Sequence, residues 1–99
     1  MDIIVKDRGA GKTTALIHQS AKTYFYIVTR NHETAHAIFQ QASALGLKIP
    51  FPLTYGEFIE HRYYGAGVRG ILIDDADELL QSMANVPIHA ITLTQRSEK

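Results

Sequence analysis

Short β-branched runs alternate with helical periodicity along the whole chain, and that alternation restricts the fold more than any other feature. Five runs carry strand signals: Ile3 to Val5, Tyr24 to Thr29, Phe51 to Thr54, Ile71 to Asp74 and Ile88 to Thr94. The second, YFYIVT, is aromatic and β-branched throughout, as expected for a strand buried on both faces. The third, FPLT, is interrupted by proline, which suits an edge position. KTTALIHQSAK, from Lys12, reads as a helix. Asn31 caps the next, whose Ala35, Ile38, Phe39, Ala42 and Leu45 share one face and which Gly46 terminates. Thr54 and Glu57 form a T-x-x-E capping box opening a helix through about Tyr64. A last helix runs from Asp75 to about Met83. Together these predict an α/β domain of three layers, with about five mainly parallel strands flanked by helices.

Ninety-nine residues suffice for one hydrophobic core, so residues 1–99 are expected to form a single minimal domain. The chain is 45% hydrophobic and 20% charged, which is globular rather than disordered composition. Ten basic and ten acidic residues cancel. That balance argues against a free-standing nucleic-acid binder, whose affinity comes from excess positive charge. With no cysteine, neither disulfides nor thiolate metal sites can form. No signal peptide precedes the first strand and no apolar run approaches membrane-spanning length. A cytoplasmic protein without a membrane partner is therefore expected.

Between the first strand and its helix stands KDRGAGKTT, Lys6 to Thr14. It fits G-x-x-x-x-G-K-[ST], the loop that cradles phosphates, except that Lys6 occupies the place of the first glycine. Gly9 and Gly11 let the backbone come close to an anion. The helix N-terminus adds about half a positive charge there. Lys12 can reach β- and γ-phosphates, and the Thr13 hydroxyl can bind Mg²⁺. The candidate phosphate-binding set is Arg8, Gly9, Ala10, Gly11, Lys12, Thr13 and Thr14. An ordinary strand-to-helix turn explains the glycines but not Lys and Thr directly after them. The nucleotide reading also requires a later strand ending in aspartate, and GILIDDADELL supplies Asp74 there. Asp74 and Asp75 suit helix N-capping as well, and both roles are compatible. Lys6 lies at the strand–loop junction, where it bears on loop geometry rather than on phosphate contact.

The order of these motifs resembles the P-loop NTPases of the RecA-like type, in particular the first motor domain of superfamily 1 helicases and the phage terminase ATPases. RGAGKTT looks like their phosphate loop. YIVTRNHETAHAI is similar to the next helicase motif, and PLTYGEF to a T-x-x-x-F element on the nucleic-acid side of such domains. ILIDDADE stands where the family carries D-E, and ITLTQ resembles the strand whose end senses the γ-phosphate. The resemblance covers nearly the whole chain. It implies ATP and Mg²⁺ as ligands, with Thr13 and Asp74 on the metal, Lys12 on phosphate, Asp75 orienting water, and Thr94 or Gln95 sensing the γ-phosphate. It implies a sheet order of glycine-loop strand, final strand, Asp74 strand, Tyr24 strand, then the Phe51 strand at the edge. DNA, single-stranded or duplex, is the implied partner, with Thr54, Arg62 and Tyr64 as candidate contacts. A phage or viral derivation follows from the same resemblance, with the host cytoplasm as the location.

Three departures shape the functional expectation. Asp75 stands where the family has glutamate, and its shorter side chain would misplace a water, at a cost on the order of a hundredfold in rate. Glu78, one turn beyond Asp74, is an alternative, with surface helix charge the preferred reading. The sequence stops five residues after the last strand signal, leaving no second lobe to contribute an arginine, worth roughly 10³–10⁵ in rate. A protein partner or a homo-oligomeric neighbour would supply it, the chain's own arginines being Arg8, Arg30, Arg62, Arg69 and Arg96. Nor is there length for the lid of a nucleotide kinase. The expected function is a weak or partner-dependent ATPase linked to DNA transactions. The alternative is a nucleotide-binding interaction module with little or no turnover, and a small nucleotide kinase ranks third.

HETAH, His32 to His36, is a literal H-E-x-x-H, the zinc-peptidase pattern, with Glu57 or Glu60 as a conceivable third ligand. The apolar stripe of its helix turns Glu33 toward solvent and the histidines toward the exposed flank. The pattern is therefore read as surface, with adventitious metal binding at most. In EHRYYGAGVRG, Tyr64 is the candidate for stacking on a nucleic-acid base, and Tyr63 for packing on the sheet. His18, His61 and His89 carry no signal.

Overall fold

Pairing partners, not apolar pattern, decide which of these runs become strands. The computed structural model describes residues 3–5, 11–62 and 67–94. Its elements are α1 (Lys12–Thr23), β1 (Tyr26–Thr29), α2 (His32–Ala44), β2 (Leu53–Thr54), α3 (Tyr55–Ile59), β3 (Ile71–Ile73) and α4 (Ala76–Ser82). The strands form one parallel sheet in the order β2-β1-β3. Val28 pairs with Leu53 on one side and with Ile73 on the other. The proline-bearing run lies at an edge, where a missing N–H is tolerated.

The expected sheet of about five strands is thus corrected to three. Residues 3–5 and 88–94 form no strand, although both are apolar and β-branched. Val5 is 82% exposed and Leu93 63%, so neither run is sealed into the core. Near the second of them, backbone groups are satisfied by a side chain instead of a ladder. Gln81 Nε2 donates to the Val86 carbonyl at 2.9 Å, and the Ile88 amide donates to Gln81 Oε1 at 2.8 Å. Strand propensity expresses packing against neighbours, and without a neighbour it has little to act on.

Alternation along β1 divides the interior. Ile27 joins Leu16 and Ile17 of α1, Ile38 and Ala42 of α2, Ile49 and Leu72 in one cluster. Val28 joins Tyr55 and Leu79 in the other. Each fully buried Ile or Val contributes about 1.5–3 kcal/mol. Of the face foreseen on α2, Ala35, Ile38 and Ala42 are buried, whereas Phe39 and Leu45 are exposed. Phe39 packs against Phe51, with ring centroids 5.4 Å apart. Asn31 accepts from the Thr34 amide at 2.8 Å, as its capping position predicts. The capping box of Thr54 and Glu57 is present, but α3 ends at Ile59 rather than near Tyr64. No helix among the described residues is long and apolar enough to cross a membrane.

One glycine is required by close packing. A Cβ on Gly70 would lie 2.8–2.9 Å from three carbons of the Phe25 ring, which packs against the first cluster. Gly70→Ala is expected to destabilise the fold by about 1–3 kcal/mol, the usual cost of overpacking. A urea unfolding midpoint unchanged from the parent would show that the ring yields freely.

Candidate functional site

In a parallel sheet all strands end on the same side, and here the residues that follow β1 and β3 reach one cavity, while the residue after β2 bonds to the backbone behind it. β1 is followed by Arg30, β2 by Tyr55, and β3 by Asp74 and Asp75. The N-terminus of α1 meets them from across the sequence. Lys12 Nζ lies 3.2 Å from Asp75 Oδ1, and Thr13 Oγ1 lies 3.5 Å from Asp74 Oδ1, the outer limit of a hydrogen bond. Gly11, Lys12, Thr13, Thr14, Arg30, Asp75, Asp77 and Glu78 line a cavity of about 480 Å³. Open α/β sheets bind their ligands at this edge.

Local backbone explains the placement. Gly11 caps α1 at φ +87°, a left-handed conformation that costs glycine little. Asp75 has φ +58° and ψ +65° and makes no side-chain cap to α4, so the capping role open to it in the sequence is not taken. A non-glycine residue held there stores strain. Tyr55 holds it: its hydroxyl is 2.8 Å from the Asp74 carbonyl and 3.0 Å from that of Asp75. Burial, then the charges of Glu78, Asp75 and Asp74, push the Tyr55 phenol above its usual pKa, so it remains a donor.

Asp74 is 6% exposed. Burial first, and the Asp75 charge second, raise its carboxyl above the usual range, against the opposing pull of Thr13, Lys12 and Arg30. It is a desolvated carboxylate short of positive charge. Among the described residues lining the cavity, the two cations are each engaged by a carboxylate: Lys12 by Asp75, and Arg30 by Glu78 at 3.4 Å. Both members of the Arg30–Glu78 pair are about half exposed, as expected of charge on a helix surface.

The remaining candidates are distributed as follows. Thr14 lines the cavity while its hydroxyl accepts from Gln41 Nε2 at 2.9 Å. Thr54 is buried and its hydroxyl accepts from the Glu57 amide, so it serves the α3 cap rather than a nucleic-acid contact. Arg62 is exposed and pairs with Glu60 at 2.7 Å. Arg8, Gly9, Ala10, Tyr63, Tyr64 and Gln95 lie outside the described residues. His32, Glu33 and His36 are all exposed, and His36 rests edge-on against Phe51. Among the described residues no group of three or more acidic or imidazole side chains could hold a metal ion.

Sequence reasoning missed Tyr55 and gave Arg30 no place in the site. The available signal was position: both directly follow a predicted parallel strand, at the edge where ligands bind. Comparison of the chain with protein-family models, with curated proteins and with solved structures found no match. The functional reading rests on the residues and their geometry.

Proposed function

We propose that the cavity between α1 and α4 binds a Mg²⁺–nucleoside triphosphate, with ATP as the ligand that the sequence resemblance implies, and that turnover is slow. The observation carrying this reading is the meeting of Lys12 and Thr13 with Asp75 and Asp74, more than 60 residues away in sequence. Lys12 and the amides at the start of α1 would hold phosphate. The donor set fits Mg²⁺, which prefers oxygen and is commonly held by one or two carboxylates together with substrate phosphates: a hydroxyl on Thr13 faces a carboxylate on Asp74 that lacks charge compensation. A bound magnesium ion would neutralise phosphate charge and relieve that of Asp74.

Electrostatics favour the metal complex over the free nucleotide. Among the described residues, Lys12 and Arg30 face Asp75, Asp77 and Glu78 around the cavity, with Asp74 beside them, so a bare polyphosphate would meet more carboxylates than cations there. Slow turnover has its own support. The carboxylate of Asp75, the candidate for orienting water, is engaged by Lys12. A nucleotide-responsive module, or an ATPase completed by a partner's arginine, fits better than an autonomous enzyme. The link to DNA rests on the sequence resemblance.

Thermal melting with Mg–ATP, and with ATP plus a chelator, tests the reading. At a hundred times Kd the ligand should stabilise the fold by about 2.7 kcal/mol, and the chelator should remove most of the effect. Identical melting with and without millimolar Mg–ATP would refute it. Phosphate release measured with and without single-stranded DNA then distinguishes module from ATPase.

A further inference from the structure

The geometry points to Tyr55 as a positioning residue for the Asp74–Asp75 pair, acting through its hydroxyl on their two backbone carbonyls; this inference rests on the nucleotide reading above. Tyr55 is 6% exposed and is the first residue of α3. The reciprocal bonds of the capping box, Glu57 amide to Thr54 hydroxyl at 3.1 Å and Thr54 amide to Glu57 carboxylate at 2.9 Å, fix where its side chain starts. From there the phenol crosses to the end of β3.

A phenol has one proton, and here it is shared between carbonyls at 2.8 and 3.0 Å. Bridging consecutive carbonyls constrains the peptide between them. That peptide leads into the left-handed Asp75, which aims one carboxylate at Lys12 while Asp74 aims the other at Thr13. Without the bridge, the strained residue can relax toward ordinary helical backbone and carry both carboxylates away from α1. Phosphate contacts from the α1 amides involve neither carboxylate, and Lys12 released from Asp75 stays available to phosphate. Loss of the bridge should therefore weaken the metal-dependent part of binding selectively.

The test is Tyr55→Phe in the full chain. ATP affinity is measured by calorimetry in excess Mg²⁺ and in excess chelator, and the ratio of the two dissociation constants is compared with the parent's. Groups that orient metal ligands typically govern affinity by about 10–100-fold. The Mg²⁺-dependent gain should accordingly fall by on the order of tenfold, with affinity in chelator unchanged or raised. A parental ratio in Tyr55→Phe, even with a lowered melting temperature, would reduce Tyr55 to a packing residue and overturn the inference. Should that variant not fold, Thr54→Ala keeps the phenol but loosens its anchorage, and the same ratio should fall by a smaller factor; an unchanged ratio there overturns the inference equally. If the parent itself binds no ATP, the nucleotide reading fails, and this inference with it. If the parent binds and only the variant ratio stays constant, this inference fails alone.

Discussion

Lys12→Ala is expected to keep its fold and lose the nucleotide. In the absence of ligand the substitution removes one ion pair, to Asp75, whose side chains are 33% and 35% exposed. Water screens such a pair, so it contributes at most about 1 kcal/mol. With ligand the loss is larger, because a hydrogen bond to a charged group contributes about 1.5–3 kcal/mol, or on the order of a hundredfold in affinity. At a concentration of Mg–ATP that stabilises the parent by about 2.7 kcal/mol, a hundredfold weaker variant gains only about 0.4 kcal/mol. In a domain of this size that is the difference between a shift of more than about 10 °C and one of about 2–3 °C. Equal shifts in the two proteins would show that Lys12 does not touch the ligand. Lys12→Arg should not restore the parent's behaviour, since the planar guanidinium cannot take the place of a compact ammonium.

Asp74→Asn carries the second large effect, and its sign depends on pH and on metal. The folded-state pKa of Asp74 lies above the ordinary value, through burial and the charge of Asp75. Its contribution to stability is thus fully present below the unfolded pKa of about 3.9 and is lost as pH rises through the folded value. As pH rises without metal, ionising the buried carboxylate becomes a burden that the amide removes. The variant should then melt higher than the parent near neutral pH, and this advantage should vanish toward pH 3. Mg–ATP should reverse the order, stabilising the parent and leaving the variant little changed. A variant that melts below the parent at pH 7 without metal, or that keeps the parent's full response to Mg²⁺, would remove Asp74 from the metal site. Reading the two substitutions together separates phosphate contact from metal contact, because only Asp74→Asn should raise stability in the ligand-free protein.

Much of the local structure was legible in the residues. Asn31 as a cap, the Thr54–Glu57 box, the stop at Gly46 and the helix opening at Lys12 all depend on neighbours within a few positions, and short-range hydrogen bonding enforces them. The edge position of Leu53–Thr54 followed from its prolines. The strand count was not legible. Ile88 to Thr94 has the composition of a strand, yet its neighbourhood offers the Gln81 amide rather than a ladder. Composition cannot report whether a partner edge lies within reach. Likewise Phe39 fits the apolar stripe of α2, but it is exposed and its ring packs against Phe51, a contact between segments that periodicity does not see.

The candidate site divides in the same way. Gly11, Lys12, Thr13, Asp74 and Asp75 could be singled out because their chemistry is written in residue type and spacing. Tyr55 and Arg30 are marked only by following a predicted parallel strand, and their roles arise only when such strands end side by side. The sequence by itself determined the alternation of helix and strand, the caps, and which side chains could handle phosphate and metal. Only the tertiary structure decided that three strands pair, that Lys12 is tied to Asp75, and that a buried phenol at the start of α3 reaches the carbonyls of two aspartates. The physical reason is range: helices and turns are closed by bonds between near neighbours, whereas a sheet edge, a desolvated carboxylate and a strained backbone each depend on atoms that the chain brings together only by folding.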